Sequence, residues 1–278
     1  MAVGFIGLGQ MGAPMAARLA GRGLVVYDAR AEAMAPLARA GARAARSVAD
    51  VAAHADLVSV MVRDDAQVRE VGDEVLASAR PGTVLAIHST IRAATAEELA
   101  ERALRYAIHV VDAPVSGGSA GADAGALAVM VGGTDEAFER CREPFGAWAD
   151  LVLHMGPVGA GTRAKIARNL LHYVAYTAAA ESQRLAEAAG VPLRDLGRIV
   201  RHTDAITGGP GMLMLRDTTA PLKPDGDLHD TMRHVRDLGE KDLALALELA
   251  DELDVDLPLT RLARENLSAG LGLPDTSD

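Results

Sequence analysis

The chain has 278 residues, of which 49% are hydrophobic, enough apolar material for two packed cores. Its formal net charge of −10 at pH 7 argues against nucleic acid or an anionic membrane as a partner, because those surfaces are bound by clustered Lys and Arg. The single cysteine, Cys141, excludes an internal disulfide and is typical of the reducing cytoplasm, and neither a signal peptide nor a membrane-spanning helix is predicted.

Short β-type runs alternate with helix-like segments through the first half of the chain. Strands are predicted at 2–6, 24–27, 57–61, 83–87, 108–111, 127–131 and 151–154. Helices are predicted among them at 11–22, 31–40, 65–79 and 95–104. This alternation favours a mainly parallel sheet with helices on both faces, which is a doubly wound α/β domain of the Rossmann type.

The pattern changes after Gly156, where strands are no longer predicted. Helices are predicted in this half at 161–189, 193–201, 212–216, 229–253 and 259–268. The sequence therefore predicts an α/β domain over residues 1–160 and an all-helical domain over residues 161–278, with a frayed end at 274–278.

The first predicted strand is followed directly by a glycine-rich turn, Gly7-Leu8-Gly9-Gln10-Met11-Gly12, that opens a helix. In a G-x-G-x-x-G turn the first glycine makes the tight turn, the second lets backbone approach a pyrophosphate, and the third allows close packing of helix on strand. The helix N-terminus then faces the phosphates. We predict that these six residues contact a dinucleotide, the alternative being a glycine turn without a ligand.

An acidic residue, Asp28, ends the second predicted strand, 21 residues beyond Gly7. At about this spacing a carboxylate binds the adenosine ribose and would repel a 2′-phosphate, which favours NAD over NADP. Arg30 keeps NADP open, because a nearby guanidinium can hold a phosphate. The other interpretation of Asp28 is an N-cap of the helix that follows.

Two further glycine-rich segments, 112–122 and 156–161, lie where predicted strands give way to loops. Their exposed backbone N–H groups and the Ser116 hydroxyl can bind a carboxylate, in the crevice where open α/β sheets bind ligands. Ordinary loop chemistry is the alternative. We therefore expect a small anionic substrate at this edge.

Lys165 and Asn169 stand four residues apart on the long predicted helix, so their side chains project from one face. A lysine works as a general acid/base near neutral pH only when burial or a neighbouring cation lowers its pKa. The two side chains could both form hydrogen bonds to one substrate oxygen. A solvated helix surface is the alternative.

Four motifs together resemble the β-hydroxyacid dehydrogenase family, which includes 3-hydroxyisobutyrate dehydrogenases and tartronate semialdehyde reductases. They are GFIGLGQMGAPMAARL from Gly4, DAPVSGGSAGADAGALAVMVGG from Asp112, GPVGAGTRAKIARN from Gly156 and KDLALALELA from Lys241. The resemblance covers nearly the whole chain. It implies a Rossmann domain followed by a helical domain like that of 6-phosphogluconate dehydrogenase, an active site between them, and a homodimer or homotetramer.

The resemblance also implies roles for single residues. Lys165 would be the catalytic acid/base and Asn169 its helper, while Ser116, Gly117 and Gly118 would cradle the substrate carboxylate. Lys241, with Asp242 beside it, would lie next to nicotinamide and substrate; Thr90 and Arg63 would contact the cofactor. The implied reaction moves a hydride between NAD and a short β-hydroxyacid or its semialdehyde, without a metal.

The sequence departs from the family pattern in three places. Arg168 stands where many members have an asparagine, and we interpret it as a solvated helix face, with a cation near the site as the alternative. The segment Ile91-Arg92-Ala93 lacks a proline that often follows the Ser-Thr motif. The loop from Thr203 to Pro224 does not follow the family pattern, and it could determine substrate selectivity.

Other classes of function remain open. A dinucleotide-binding sensor would not need Lys165, Asn169 and Lys241, and imine reductases of the same architecture typically replace the lysine. His229 and His234 are five residues apart, off a common helical face, so no metal site is predicted. The remaining histidines considered lie at strand ends, where a hydrogen-bonded structural role is expected: His88, His109 and His154.

Overall fold

The computed structural model describes residues 1–214, 216 and 218–273. The chain divides into two compact units, Met1–Leu170 and Leu171–Asp278. The division falls within a long helix, ten residues beyond the boundary that we predict from the sequence. The predicted fraying of 274–278 lies outside the described residues.

The first unit is built on one nine-stranded sheet. Its strands are β1 (Val3–Ile6), β2 (Val25–Tyr27), β3 (Arg43–Ala44), β4 (Leu57–Val60), β5 (Val84–Ile87), β6 (His109–Asp112), β7 (Val115–Ser116), β8 (Leu127–Gly132) and β9 (Ala149–Gly156). The order is β3-β2-β1-β4-β5-β6-β8-β7, with β9 paired to β8, and the first six strands in this order are parallel. β8 runs antiparallel to β6 and β7 and parallel to β9.

Helices cover both faces of this sheet, as the predicted Rossmann-type fold requires. They are α1 (Gly12–Ala17), α2 (Ala31–Arg39), α3 (Val48–His54), α4 (Asp65–Ser78), α5 (Ala93–Ala103), α6 (Gly118–Ala124) and α7 (Asp135–Phe145). One core contains Phe5, Met15 and Trp148, and the other contains Val51, Leu85 and Leu99. Successive residues of the buried strands pack into opposite cores, so both faces of the sheet are covered. This confirms the α/β part of the predicted fold class.

The second unit is helical throughout its described part. Its helices are the remainder of α8 (Ala160–Ala188), then α9 (Leu193–Thr207), α10 (Asp227–Glu252) and α11 (Pro258–Gly270). A small core contains Met232, Leu271 and Leu273. No helix among the described residues combines the length and the apolar character that a membrane crossing requires.

The segment predicted as a helix over 212–216 differs in the structure. A 3-10 helix spans Gly209–Leu213 instead, and residue 215 lies outside the described residues. Gly208 ends α9 with a φ of 84°, a left-handed conformation that favours glycine. The glycines around Pro210 therefore replace a regular α-helix with a tighter turn.

A buried carboxylate fastens α11 within the second unit. Glu181, on α8, is 2% exposed and accepts the backbone N–H of Leu259 at 2.8 Å and that of Thr260 at 2.9 Å. The Thr260 hydroxyl donates to the same carboxylate at 2.7 Å. Because the first N–H groups of a helix have no partner within it, this carboxylate supplies acceptors for the start of α11.

Candidate active site

The candidate cofactor residues lie at one edge of the sheet, where the parallel strands end. Gly7 follows β1, Asp28 follows β2, Arg63 lies three residues beyond β4, and Thr90 lies three residues beyond β5. β1 lies between β2 and β4 in the sheet. The strands after β1 are therefore added first on one side of it, as β2 and β3, and then on the other side, beginning with β4, so the strand order reverses at β1. Open α/β sheets bind ligands in such a crevice.

The turn from Gly7 to Gly12 depends on its glycines in different ways. Gly7 has a φ of 90°, and a side-chain carbon added there would collide with the backbone oxygen of Met61. A carbon added at Gly12 would collide with the Gly7 carbonyl. At Gly9, by contrast, an added carbon would meet nothing within 4 Å. Gly7 and Gly12 are therefore required by packing, whereas Gly9 faces open space that a ligand can occupy.

Asp28 joins the ends of β1 and β2. Its carboxylate accepts the backbone N–H of Leu8 at 2.7 Å and that of Arg30 at 2.9 Å, and the Arg30 Nε lies 3.3 Å from it. Burial by itself would raise the pKa of Asp28, but these donors lower it below its usual value. The N-cap of α2 is Arg30, so the N-cap interpretation of Asp28 is wrong. Oδ1 accepts both Arg30 donors, so Oδ2, which accepts the Leu8 N–H, is the oxygen that keeps a lone pair for a further donor.

Arg63 and Thr90 are both exposed at this edge. The Arg63 backbone N–H donates to the Gln67 side chain at 3.1 Å. Between them, the buried Ser89 hydroxyl accepts the Val62 N–H at 2.9 Å and donates to the Val62 carbonyl at 2.7 Å. Ser89 therefore fixes the loop after β4, and the side chains of Arg63 and Thr90 are left accessible.

His88 is a structural histidine beneath this edge, as predicted. Its Nδ1 donates to the Ala113 carbonyl at 2.8 Å, and its Nε2 lies 3.0 Å from the Ser59 hydroxyl, which donates to it. The ring packs against Phe145 and Trp148. Burial lowers the pKa of His88 to about 4, so the ring is neutral at neutral pH. It links the ends of β4, β5 and β6.

Ser116 ends β7 and is half-buried, and Gly117 and Gly118 are exposed at the start of α6. Gly117 has a φ of 133°, and an added side-chain carbon would press on Leu127. Gly118 has a φ of 66° with open space beside it. These backbone conformations favour glycine, and both glycines are exposed.

One important residue was not singled out from the sequence. Asp112 is fully buried at the end of β6, and its carboxylate accepts the backbone N–H of Gly159 at 2.7 Å and that of Thr162 at 2.6 Å. Burial raises the pKa of Asp112, and the two N–H groups act against that rise. The sequence contained one sign of this contact. The predicted helix begins after Gly159, which has no side chain to accept its first N–H groups, so an acceptor from elsewhere in the chain is needed.

Lys165 follows in the next turn of α8 and is only 8% exposed. Burial lowers its pKa below the ordinary value of 10.5, and the charge of Arg168 lowers it further. Asn169 is half-buried, and its Oδ1 accepts from the Arg168 guanidinium at 3.3 Å. Arg168 is exposed, as the interpretation of a solvated helix face requires, yet it also acts electrostatically on Lys165.

Lys241 lies on α10 in the second unit, where it is exposed and 3.1 Å from Asp242. The whole sequence has three lysines, Lys165, Lys223 and Lys241, among 28 basic residues. Arginine is thus the ordinary surface cation of this protein. Lysine differs from arginine in that it can lose its proton when buried, so its use at position 165 is informative.

Two histidines considered as metal ligands, His229 and His234, lie on α10. Within the described part of the chain, no three His, Cys, Asp or Glu side chains are grouped so as to hold a metal ion. Cys141 is buried, and burial raises the pKa of its thiol to about 12, so it is an unreactive core residue.

Two family models match the chain. Residues 2–156 match the NAD binding domain of 6-phosphogluconate dehydrogenase, and residues 159–272 match the NAD-binding model of NADP-dependent 3-hydroxyisobutyrate dehydrogenase. Together they cover nearly all of the chain.

Individual relatives and solved structures are similar to this chain over most of its length. An NAD-dependent L-serine dehydrogenase of Pseudomonas aeruginosa is 37% identical over 94% of this chain and 89% of its own. A putative oxidoreductase of Mycobacterium avium has a crystal structure with a TM-score of 0.94 at 58% identity, covering 98% and 99% of the two chains. The Mycobacterium tuberculosis 3-hydroxyisobutyrate dehydrogenase, solved with L-serine, gives 0.67 at 33% identity, covering 99% and 96%. A Pseudomonas imine reductase, 20% identical with a TM-score of 0.75 over 98% and 95%, shares the fold alone.

Proposed function

Because this chain belongs to the β-hydroxyacid dehydrogenase family, we propose that it interconverts a small β-hydroxyacid and its semialdehyde with NAD, using Lys165 as the general acid/base. The observation that carries the proposal is the burial of Lys165. A lysine that is 8% exposed with a lowered pKa can release and take up a proton far more readily than a surface lysine.

In the oxidative direction, neutral Lys165 accepts the hydroxyl proton of the substrate. The nicotinamide, when bound, supplies the hydride acceptor. In the reductive direction, protonated Lys165 donates to the carbonyl oxygen, and the Asn169 amide donates a hydrogen bond to the same oxygen. The side chains thus place charge and donors where the alkoxide develops.

The dinucleotide would lie along the turn from Gly7 to Gly12. The space open above Gly9 fits a close approach of the pyrophosphate, and the ionised Asp28 fits the adenosine ribose. A negative carboxylate that already holds Arg30 disfavours a 2′-phosphate, so we propose NAD rather than NADP. Arg63 and Thr90, both exposed at this edge, are proposed as further cofactor contacts.

The substrate carboxylate is proposed to bind the Ser116 hydroxyl and the backbone N–H groups of Gly117 and Gly118. Short β-hydroxyacids fit this cradle, and L-serine belongs among them because it is a β-hydroxyacid named in two relatives. The substrate role proposed for Lys241, in the second unit, rests on the sequence match alone.

We also propose a homo-oligomer, either a dimer or a tetramer. Large apolar side chains on α8 and α9 are unusually exposed, including Leu170, Tyr173 and Ile206 at 67%, 62% and 73%. Exposed apolar patches of this kind are typical of protein interfaces. Light scattering on the purified protein measures the stoichiometry, and a monomer at micromolar concentration would contradict the proposal.

The test of the function is a substrate panel followed at 340 nm with NADH and NADPH. L-Serine, 3-hydroxyisobutyrate, other short β-hydroxyacids and their semialdehydes are supplied to the unaltered protein, Lys165→Ala and Lys165→Arg. We expect both variants to lose about 10²- to 10⁴-fold in kcat while NADH binding stays unchanged, because arginine keeps the charge but cannot exchange the proton. Arg163→Ala, at an exposed position of the same helix, is the control and should keep its activity.

The outcomes separate the proposed function from its alternatives. Turnover that survives in Lys165→Ala contradicts the catalytic role of the lysine. Tight NADH binding without turnover of any panel member favours a dinucleotide sensor. Reduction of cyclic imines in place of carbonyl acids would favour an imine reductase, and absence of cofactor binding would overturn the whole proposal.

A further inference from the structure

The buried carboxylate of Asp112 connects the end of a strand to the start of a helix. Its Oδ1 accepts the N–H of Gly159 and its Oδ2 accepts the N–H of Thr162, across 47 and 50 residues of sequence. Gly159 directly precedes α8, and Thr162 is the third residue of that helix. Both oxygens therefore act on the first turn of α8.

The helix needs this outside acceptor because the residue before it is a glycine. The first N–H groups of a helix have no partner within it and are usually capped by a neighbouring Ser, Thr, Asp or Asn. Here the Ala160 N–H donates to the Pro157 carbonyl at 3.0 Å, and the helical pattern begins with the bond from Arg163 to Gly159 at 3.0 Å. Asp112 accepts the N–H of Gly159, just before the helix, and that of Thr162, in its first turn, and its negative charge suits the positive end of the helix dipole.

Packing around the carboxylate leaves little room for movement. A side-chain carbon added at Gly132, on β8, would collide with Asp112 Oδ1. One added at Gly161, in the first turn of α8, would collide with the backbone oxygens of Met130 and Asp112. Two glycines thus allow strand β8 and helix α8 to approach Asp112 closely, and this region is a tightly packed joint.

We propose that Asp112 is a positioning residue that holds the first turn of α8 on the sheet and thereby sets the place of the Lys165 ammonium group. Lys165 is three residues beyond Thr162, about 4.5 Å along the helix axis, so a shift of the first turn moves it directly. Ser116 is four residues beyond Asp112 on a ladder continuous with it, because Asp112 pairs with Gly132 and Ser116 with Ala128. Asp112 therefore fixes the position of the proposed proton donor, Lys165, relative to the proposed binding site for the substrate carboxylate at Ser116. The inference rests on the proposed function.

The substitution Asp112→Asn tests this role because it keeps the shape of the side chain. The amide has one oxygen, so one of the two N–H groups loses its acceptor and faces the amide NH₂ instead. We expect kcat to fall about 10- to 100-fold while the NADH dissociation constant changes less than about twofold, since misplacement of a catalytic group costs rate rather than cofactor affinity. Asp112→Ser, which keeps one acceptor, is the second variant if Asp112→Asn does not fold.

A second readout does not depend on turnover. Competitive labelling of lysine amines across pH, resolved by peptide mass, gives the pKa and reactivity of each lysine, and the exposed Lys223 and Lys241 serve as internal references. In Asp112→Asn we expect the pKa of Lys165 to rise, because a displaced ammonium group is better solvated, and the labelling rate of its neutral amine, measured at high pH, to increase because the group is more accessible. Loss of a negative charge alone would lower the pKa of Lys165, so the direction distinguishes displacement from simple electrostatics.

Glu181→Gln is the matched control. Glu181 also accepts two backbone N–H groups at the start of a helix, and that helix, α11, bears no proposed catalytic group. It should lose stability without a change in kcat or in the labelling of Lys165. A folded Asp112→Asn protein with unchanged kcat, or with an unchanged or lowered Lys165 pKa, would overturn the inference. Turnover in Lys165→Ala contradicts the proposed function instead, and the labelling result still decides whether Asp112 positions the lysine.

Discussion

Lys165 and Arg168 lie three residues apart on α8, so their side chains leave the helix on the same side, and the charge of Arg168 adds to burial in lowering the pKa of Lys165. Because Arg168 is exposed, its effect is electrostatic and does not depend on packing. Position 168 therefore affects the pKa of Lys165, the proposed acid/base group, without needing to contact the substrate.

The pH dependence of turnover should report this pair. Oxidation requires neutral Lys165, so its rate should rise with pH through a pKa below 10.5, and reduction should fall through the same range. Arg168→Gln removes a like charge, raises the pKa of Lys165 and should move both limbs to higher pH. The measurement is kcat against pH in each direction.

A matched control for this prediction is Arg163→Gln. Arg163 is exposed on the same helix but pairs with Glu97 at 2.7 Å, so both pH limbs should stay in place. If Arg168→Gln leaves the limbs unmoved, or shifts them to lower pH, the electrostatic account of Lys165 is wrong.

The two glycines Gly12 and Gly9 should respond differently to alanine. Gly12→Ala places a carbon against the Gly7 carbonyl, so we expect a loss of about 1–3 kcal/mol in the free energy of unfolding. Gly9→Ala meets nothing within 4 Å and should keep or gain stability by up to about 1 kcal/mol. It should nevertheless weaken NADH binding by about tenfold or more, because the methyl group occupies the space proposed for the pyrophosphate.

Denaturant unfolding and NADH titration of both variants check this pair. Gly41→Ala, at an exposed turn with a φ of 94°, controls for loss of glycine away from the site: it should cost some stability and leave NADH affinity alone. Unchanged NADH affinity in Gly9→Ala would mean that the pyrophosphate does not approach this position.

The fold was largely predictable because its strands and long helices have strong local patterns. All seven predicted strands appear, each with bounds within two residues. The two short strands that were missed have no such pattern: Arg43–Ala44 is an exposed edge pair, and Val115–Ser116 lies within a glycine-rich loop. A two-residue strand is defined by its neighbour in the sheet and leaves little trace in its own sequence.

The candidate site was predictable only where function depends on residue type. The glycine turn and Lys165 could be named as candidates because the proposed chemistry limits the residue types that can serve. Asp112 could not, since its role depends on contacts with Gly159 and Thr162 that only the folded chain brings together. For Arg168 the sequence left two interpretations, a solvated helix face and a cation near the site, and the structure supports both because the exposed guanidinium still lowers the pKa of Lys165.

Cofactor choice should depend on the charge at Asp28. Asp28→Asn removes the repulsion of a 2′-phosphate while leaving Arg30 beside it, so we expect the NADPH-to-NADH affinity ratio to rise about tenfold or more. Adding Arg30→Gln to this variant should remove most of the gain. Titration of each protein with both nucleotides measures the ratio, and parent protein that already prefers NADPH would contradict the NAD assignment.

Buried His88 should make folding sensitive to mild acid. Burial lowers its pKa from 6.5 to about 4, so below pH 6.5 the unfolded chain binds a proton that the folded chain refuses. The stabilisation is complete above pH 6.5 and is lost as the pH falls toward 4, by about 2 kcal/mol between pH 7 and pH 5, which corresponds to a fall in Tm of about 3–6 °C.

His88→Gln should lose stability at pH 7 yet show a smaller fall in Tm on acidification. His202→Gln, at an exposed position, should behave as the parent. An equal fall in Tm for His88→Gln and the parent would show that His88 titrates alike in the folded and unfolded chains, and that the bonds to Ala113 and Ser59 do not hold a neutral ring.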